Sequence, residues 1–232
     1  MRGALLDMLT WQEAAKHIAA HWPIIIPLGA AAKAHGPHLP LGTDRLCAEA
    51  IADRMAERRR LLVAPCIGFG FYPVFTSYAG SQHLAAATFE TLVVELCEGF
   101  LRQGAKRLML LNNGVSTAKP LRNATAMLHQ RHGVDVAILD LPGLGQNVRG
   151  LWQAPQGGHA DERETSLMLA LAPRSVRLDL LPDGSGYDGK ALRPDGSTGD
   201  TRAASAEKGE ALLEALLTEA LTAFDRLWPD QG

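Results

Sequence analysis

Two short stretches of the chain concentrate groups able to ligate a metal or move a proton. Lys33-Ala34-His35-Gly36-Pro37-His38-Leu39-Pro40-Leu41-Gly42-Thr43-Asp44 sets an ammonium, two imidazoles and a carboxylate in a loop stiffened by glycine and proline, at the entry to a helix. Gly158-His159-Ala160-Asp161-Glu162-Arg163-Glu164-Thr165-Ser166 puts His159 in a second helix-entry loop and Glu164 a turn inside. Those two residues are five apart, so they do not share a helical face, but they can point into one cleft from two elements. Imidazole serves both metal ligation and proton transfer near neutral pH. On spacing alone each stretch also has an ordinary reading: polar loop side chains satisfied by backbone groups in the first, and an acidic first turn favoured by the helix dipole in the second.

The elements that position them follow from the hydrophobic pattern. Thr10-Trp11-Gln12-Glu13 has the form of a capping box, and the apolar spacing after it predicts a helix near 10–20. Pro23 to Gly29 reads as a strand buried on both faces, and the helix that starts at Thr43 runs to Arg58-Arg59-Arg60. Leu61 to Pro65 is the second strand, followed by an aromatic loop over 66–83 and a helix from 88 to 103. Strands over 106–111 and 134–139 bracket a helix over 119–132, with Gly104 and Gly133 as helix stops. Beyond a loop at 141–158 come a helix over 159–171, an irregular glycine- and proline-rich excursion over 182–200, and a last helix over 203–227. Repeated strand, loop and helix units imply a parallel sheet with helices on both faces, and ligands in such sheets bind beyond the carboxyl ends of the strands. Both chemistry-bearing stretches fall in those loops.

Composition narrows the function classes. At 232 residues with no linker or internal repeat, one domain over 1–232 is expected. A net charge of −2 without a basic stripe argues against nucleic acid. No stretch approaches the roughly 18 apolar residues of a membrane span, and no signal-peptide core follows Met1. Three scattered cysteines suit neither a disulfide framework nor a thiolate zinc site, which points to the cytoplasm.

The His35 to Asp44 motif, the His159 to Ser166 segment and the order of strands between them resemble the creatininase (creatinine amidohydrolase) family, over roughly residues 20–175. The resemblance implies a three-layer α/β/α sandwich with a mostly parallel central sheet, a homo-oligomer (hexamer or dimer), and a metal-dependent amidohydrolase that cleaves a C–N bond in a small molecule or short peptide. It assigns His35 and Asp44 as metal ligands, Glu164 as a carboxylate able to join them, and His159 as the proton shuttle.

The departures fall on the same loops. The family's Glu-x-His begins here with Lys33, and its Asn-Gly-His is Asn113-Gly114-Val115. Gap-free counting places Phe75 where a further histidine is expected. Valine cannot ligate, and an ammonium repels a dication. Three readings stay open. One is a hydrolase with a single Zn, Mn or Fe ion on His35, Asp44 and Glu164. Another is a metal-free enzyme in which Lys33 replaces the first metal as electrostatic catalyst, proton carrier or nucleophile. The last is a non-catalytic homologue that binds a small molecule or partners an active subunit. Trp152 is a candidate lid, His83 a candidate to reach the cleft, and the aromatic residues Phe69 to Tyr78 a substrate wall or a subunit interface.

Overall fold

Ile24–Leu28 is the middle strand of a five-stranded sheet and is buried at every position. The computed structural model describes residues 2–153, 158–185 and 192–229. Its strands are β1 (Ala4–Leu5), β2 (Ile24–Leu28), β3 (Leu62–Val63), β4 (Leu108–Asn112) and β5 (Ala137–Asp140), all parallel in the order β1-β3-β2-β4-β5. The helices are α1 (Trp11–Ala19), α2 (Thr43–Arg58), α3 (Ala86–Arg102), α4 (Ala118–His132), α5 (Glu162–Leu171) and α6 (Ala206–Leu227).

Side chains of a strand alternate between faces, and here each face has its own core. Ile25, Val63, Met109 and Leu111 pack with α2, α5 and α6 around Met55, Leu216 and Phe224. Ile24, Ile26, Leu62, Leu108 and Leu110 pack with α1, α3 and α4 around Phe89, Val93 and Leu121. The chain is therefore a three-layer α/β/α sandwich. Among the described residues no helix is long and apolar enough to cross a membrane.

Local signals set the ends of these elements. Thr10 and Glu13 form both halves of the capping box on α1. Gly104 (φ +96°) and Gly133 (φ +64°) take up the left-handed turn after α3 and α4. Arg59, in the basic run, forks onto Asp225 at 2.7 and 2.6 Å, tying the end of α2 to α6. The second strand is shorter than its apolar run, only Leu62–Val63, and a β1 strand too short to show alternation pairs with it. α5 begins at Glu162, leaving His159 in the loop before it. Residues 186–191 of the 182–200 excursion and 154–157 of the 141–158 loop lie outside the described residues.

Candidate active site

The loop leaving β2 is folded back on the start of α2, and a glycine makes that possible. A Cβ at Gly29 would lie 2.4 Å from the carbonyl oxygen of Asp44, so any larger residue would push Asp44 off the sheet edge. The Asn113 side chain, at the end of β4, donates to that same carbonyl at 3.1 Å. Asp44 is thereby buried, and its Oδ2 lies 2.6 Å from Lys33 Nζ while its Oδ1 lies 2.9 Å from His35 Nε2. Burial pushes the Asp44 carboxyl up, but Lys33 and His35 outweigh it and hold the group well below the usual carboxylate range. The Lys33 ammonium also stands 5.0 Å from the ring centre of Phe75 and 5.6 Å from that of Tyr72, aromatic faces that favour a cation.

His159 enters from the opposite side. Ala160, next in the chain, adopts φ +48°, an uncommon conformation for a residue with a Cβ, and it turns the imidazole away from α5 toward the β2 loop. Thr198 holds the turn from behind: its hydroxyl accepts from the His159 N–H at 2.9 Å and donates to the His159 carbonyl at 2.8 Å. Nε2 of His159 donates to the carbonyl of Ala34 at 2.8 Å, since a carbonyl can only accept, so the neutral ring keeps its lone pair on Nδ1. Burial, reinforced by His35 and Lys33, pushes the His159 pKa down to about 2 and keeps the ring unprotonated. Nδ1 faces Glu164 Oε2 at 3.8 Å. Glu164 is itself pinned by the Ala160 N–H at 2.5 Å, and burial, with Asp44 adding to it, raises its carboxyl.

These groups border a cleft of about 870 Å³ at the carboxyl ends of the strands, whose walls include Lys33, Asp44, His159, Glu164, Val115 and Trp152. Lys33, His35, Asp44, His159 and Glu164 are thus brought together. His38 is not in the cleft: it is fully buried, with Nε2 2.7 Å from the Thr165 hydroxyl. His83 accepts from the Tyr72 N–H at 3.0 Å and is a structural residue. The aromatic loop divides its work. Phe75 packs its ring 4.7 Å from that of His159, whereas Phe69 lines a separate apolar groove with Leu92, Leu96 and Phe100. Cys47 also borders the cleft, but burial pushes its thiol up to about 12, which removes it as a nucleophile at neutral pH.

Sequence reasoning missed Thr198, and it named Tyr72 only within the aromatic loop and Asn113 only within a motif. Thr198 sits in the irregular excursion, where no period marks a residue as buried. Tyr72 and Asn113 act through contacts that only the folded chain creates.

A two-cation centre does not fit these residues. The ammonium of Lys33 already neutralises Asp44 where the resemblance places a glutamate ligand, and Val115 offers no donor atom and is exposed. A smaller donor set is present: one atom each of His35, His159 and Glu164 lie within 4.8 Å of one another. His159 rather than Asp44 completes that set.

Comparison with known proteins agrees with the fold. The family model described as creatinine amidohydrolase matches residues 7–224. Creatinine amidohydrolase of Pseudomonas putida is 28% identical, with 98% of each chain covered. The mycofactocin precursor peptide peptidase of Mycobacterium ulcerans (strain Agy99) is 30% identical over 90% of this chain and 87% of its own. Among solved structures, a manganese form of creatininase superposes with a TM-score of 0.81 at 28% identity, covering 98% of this chain and 99% of that one. A Zn-Zn form of a creatininase variant gives 0.82 at 28% identity, covering 99% of this chain and 100% of that one. With its sandwich and nearly its whole length matched in this way, the chain belongs to the creatininase family.

Proposed function

We propose that the chain hydrolyses an amide-type C–N bond in a small molecule or short peptide, with the Lys33 ammonium standing in for a metal ion. The observation that carries this reading is the buried Lys33–Asp44 pair, 2.6 Å apart, on the wall of the same cleft as His159 and Glu164. Asp44 lies against the lysine, and the rings of Phe75 and Tyr72 dry its surroundings. An ammonium has three donors, so two remain for the carbonyl oxygen of a bound amide and for the negative charge that grows on it.

The water that attacks the carbonyl carbon gives its proton to His159 Nδ1, the lone pair left free by the Ala34 contact. That base is weak in the resting site because burial, with His35 and Lys33 beside it, opposes a charge on the ring. It strengthens as the oxyanion forms against Lys33. As the C–N bond breaks, His159 returns that proton to the leaving nitrogen, and Glu164 Oε2, 3.8 Å from Nδ1 in the resting site, steadies the ring while it is charged. The products are a carboxylic acid and an amine. His35 orients Asp44 from the other side, and Trp152 and Val115 supply an apolar wall.

The test is turnover of the purified chain on a panel of lactams, cyclic ureas, formamides and short peptides, in the presence of a chelator. Removing one preorganised donor to an oxyanion typically lowers kcat about 10²- to 10³-fold, and Lys33→Met is expected in that range. An unchanged rate would remove Lys33 from the mechanism. No turnover on any amide would favour a non-catalytic, ligand-binding role.

A further inference from the structure

One wall of the cleft is a 3₁₀ helix, Gln146–Leu151, and a helix with three residues per turn stacks side chains three apart above one another. Gln146, Arg149 and Trp152, the residue that follows the helix, form such a row, and all three border the cleft. The segment is clamped at both ends. Gly145 enters it at φ +74° and gives its N–H to Glu219 of α6 at 3.0 Å, while Arg163 of α5 donates to the Leu144 carbonyl at 3.0 Å. Past Trp152, the Gln153 N–H donates to Glu162 at 2.8 Å, and Lys208 holds that same carboxylate from α6. None of these clamps takes part in the acid–base chemistry. What they fix in place is the row that faces the cleft.

Charge singles out one member of the row. The other charged side chains of the cleft wall are occupied within the chain: Lys33 with Asp44, Glu162 with Lys208, Arg163 with the carbonyls of Pro142 and Leu144, and Asp161 and Glu164 with backbone N–H groups. Arg149 is exposed and, among the described residues, its guanidinium has neither an ion pair nor a hydrogen bond. A guanidinium accepts no hydrogen bond and does not give up its proton in proteins, so what it offers a ligand is five N–H donors, set in a planar fork that meets a carboxylate through two parallel bonds. The Trp152 ring in the same row supplies an apolar neighbour. At about 870 Å³ the cleft stands near the upper end of small-molecule sites, with room for a group beyond the amide that is cleaved.

We propose that Arg149 binds a carboxylate of the substrate, and that the chain therefore selects amides carrying a negative charge away from the bond that breaks. This inference rests on the hydrolase reading and adds a substrate class to it. The carboxylate is either the C-terminus of a short peptide or an acidic arm on a small ring, and both present the same pair of oxygens to the fork.

The experiment compares kcat/KM of the full-length protein on matched acid and carboxamide pairs. Hydantoin-5-acetic acid and hydantoin-5-acetamide are read by ring opening, and N-formyl dipeptides and their C-terminal amides by release of formate. The acid is expected to be favoured about tenfold or more, the worth of one hydrogen bond to a charged group. Arg149→Met should bring that ratio close to one and Arg149→Glu should take it below one, with the change carried by KM rather than kcat. A circular dichroism melt should leave both variants at the parent transition, because the side chain is exposed and unpaired. Preference within the hydantoin pair alone supports an acidic small molecule, and within the dipeptide pair alone a peptide carboxylate. A ratio near one in both pairs, or a preference that Arg149→Met leaves intact, would overturn the proposal. If neither pair is turned over, calorimetric titration with the two acids reads Arg149 by itself: binding that Arg149→Met abolishes supports the carboxylate site, and no binding, or binding that survives, overturns it. The hydrolase reading fails separately, by absence of turnover across the wider amide panel.

Discussion

Lys33 and Asp44 are each tolerable in the core because of the other. Lys33→Met leaves a carboxylate buried with only His35 beside it, and removing one partner of a buried pair typically costs about 3–5 kcal/mol. Lys33→Met/Asp44→Asn should recover most of that loss in a denaturant melt while restoring no activity, which separates the electrostatic role of the pair from its structural one. Thr198→Val tests the support of His159: it strands the His159 N–H, at about 1–3 kcal/mol, and a shift of the ring should lower kcat about ten- to a hundredfold with KM little changed. His38 sets an acid limit. Burial pushes its pKa down to about 4 from an ordinary 6.5, so the unfolded chain takes up the proton first as pH falls. Its contribution is complete above about 6.5 and is lost between 6.5 and 4, at most about 3 kcal/mol. The melting temperature should drop over that window, and His38→Gln should flatten the slope. A flat profile in the parent protein would contradict this assignment.

Among the elements, α5 and α6 are the pair that matters most to the cleft, because Glu164 rides at the start of α5. Their contact is close enough that a Cβ on Gly209 of α6 would sit 2.0 Å from the Ser166 carbonyl oxygen of α5. Gly209→Ala must therefore push the helices apart, and an overpacking loss of about 1–3 kcal/mol is expected, with reduced turnover as Glu164 moves from His159. Elements with a strong periodic or capping signal were legible in the sequence. α1 announces itself through Thr10 and Glu13, α4 ends at Gly133, and β2 is a plain apolar run. β1 was not legible, since Ala4–Leu5 is too short to alternate and is defined by its partner, Leu62–Val63. The cluster of Lys33, His35, Asp44, His159 and Glu164 could be named from motif and resemblance. How the cluster divides could not. That Asp44 turns to Lys33, and that His159 joins His35 and Glu164, depends on carbonyls of Lys33 and Ala34 that have no sequence signature.

At the scale of the whole molecule, two cores share one sheet. Phe89 anchors one face and Phe224 the other, both essentially buried. Each truncation to alanine should cost about 3–5 kcal/mol. Because β2 and β4 contribute to both cores, heat should unfold either variant in a single transition, and two resolved transitions in calorimetry would contradict the single-domain reading. The lysine that faces Asp44 has a consequence on this scale as well. A metal centre depends on supply: it can be starved, stripped by a competing chelator, or filled with the wrong element. An ammonium is synthesised with the chain, present in every copy at a ratio of one, and inherited with the codon. A positive charge placed in this way is provisioned by the ribosome rather than by metal uptake.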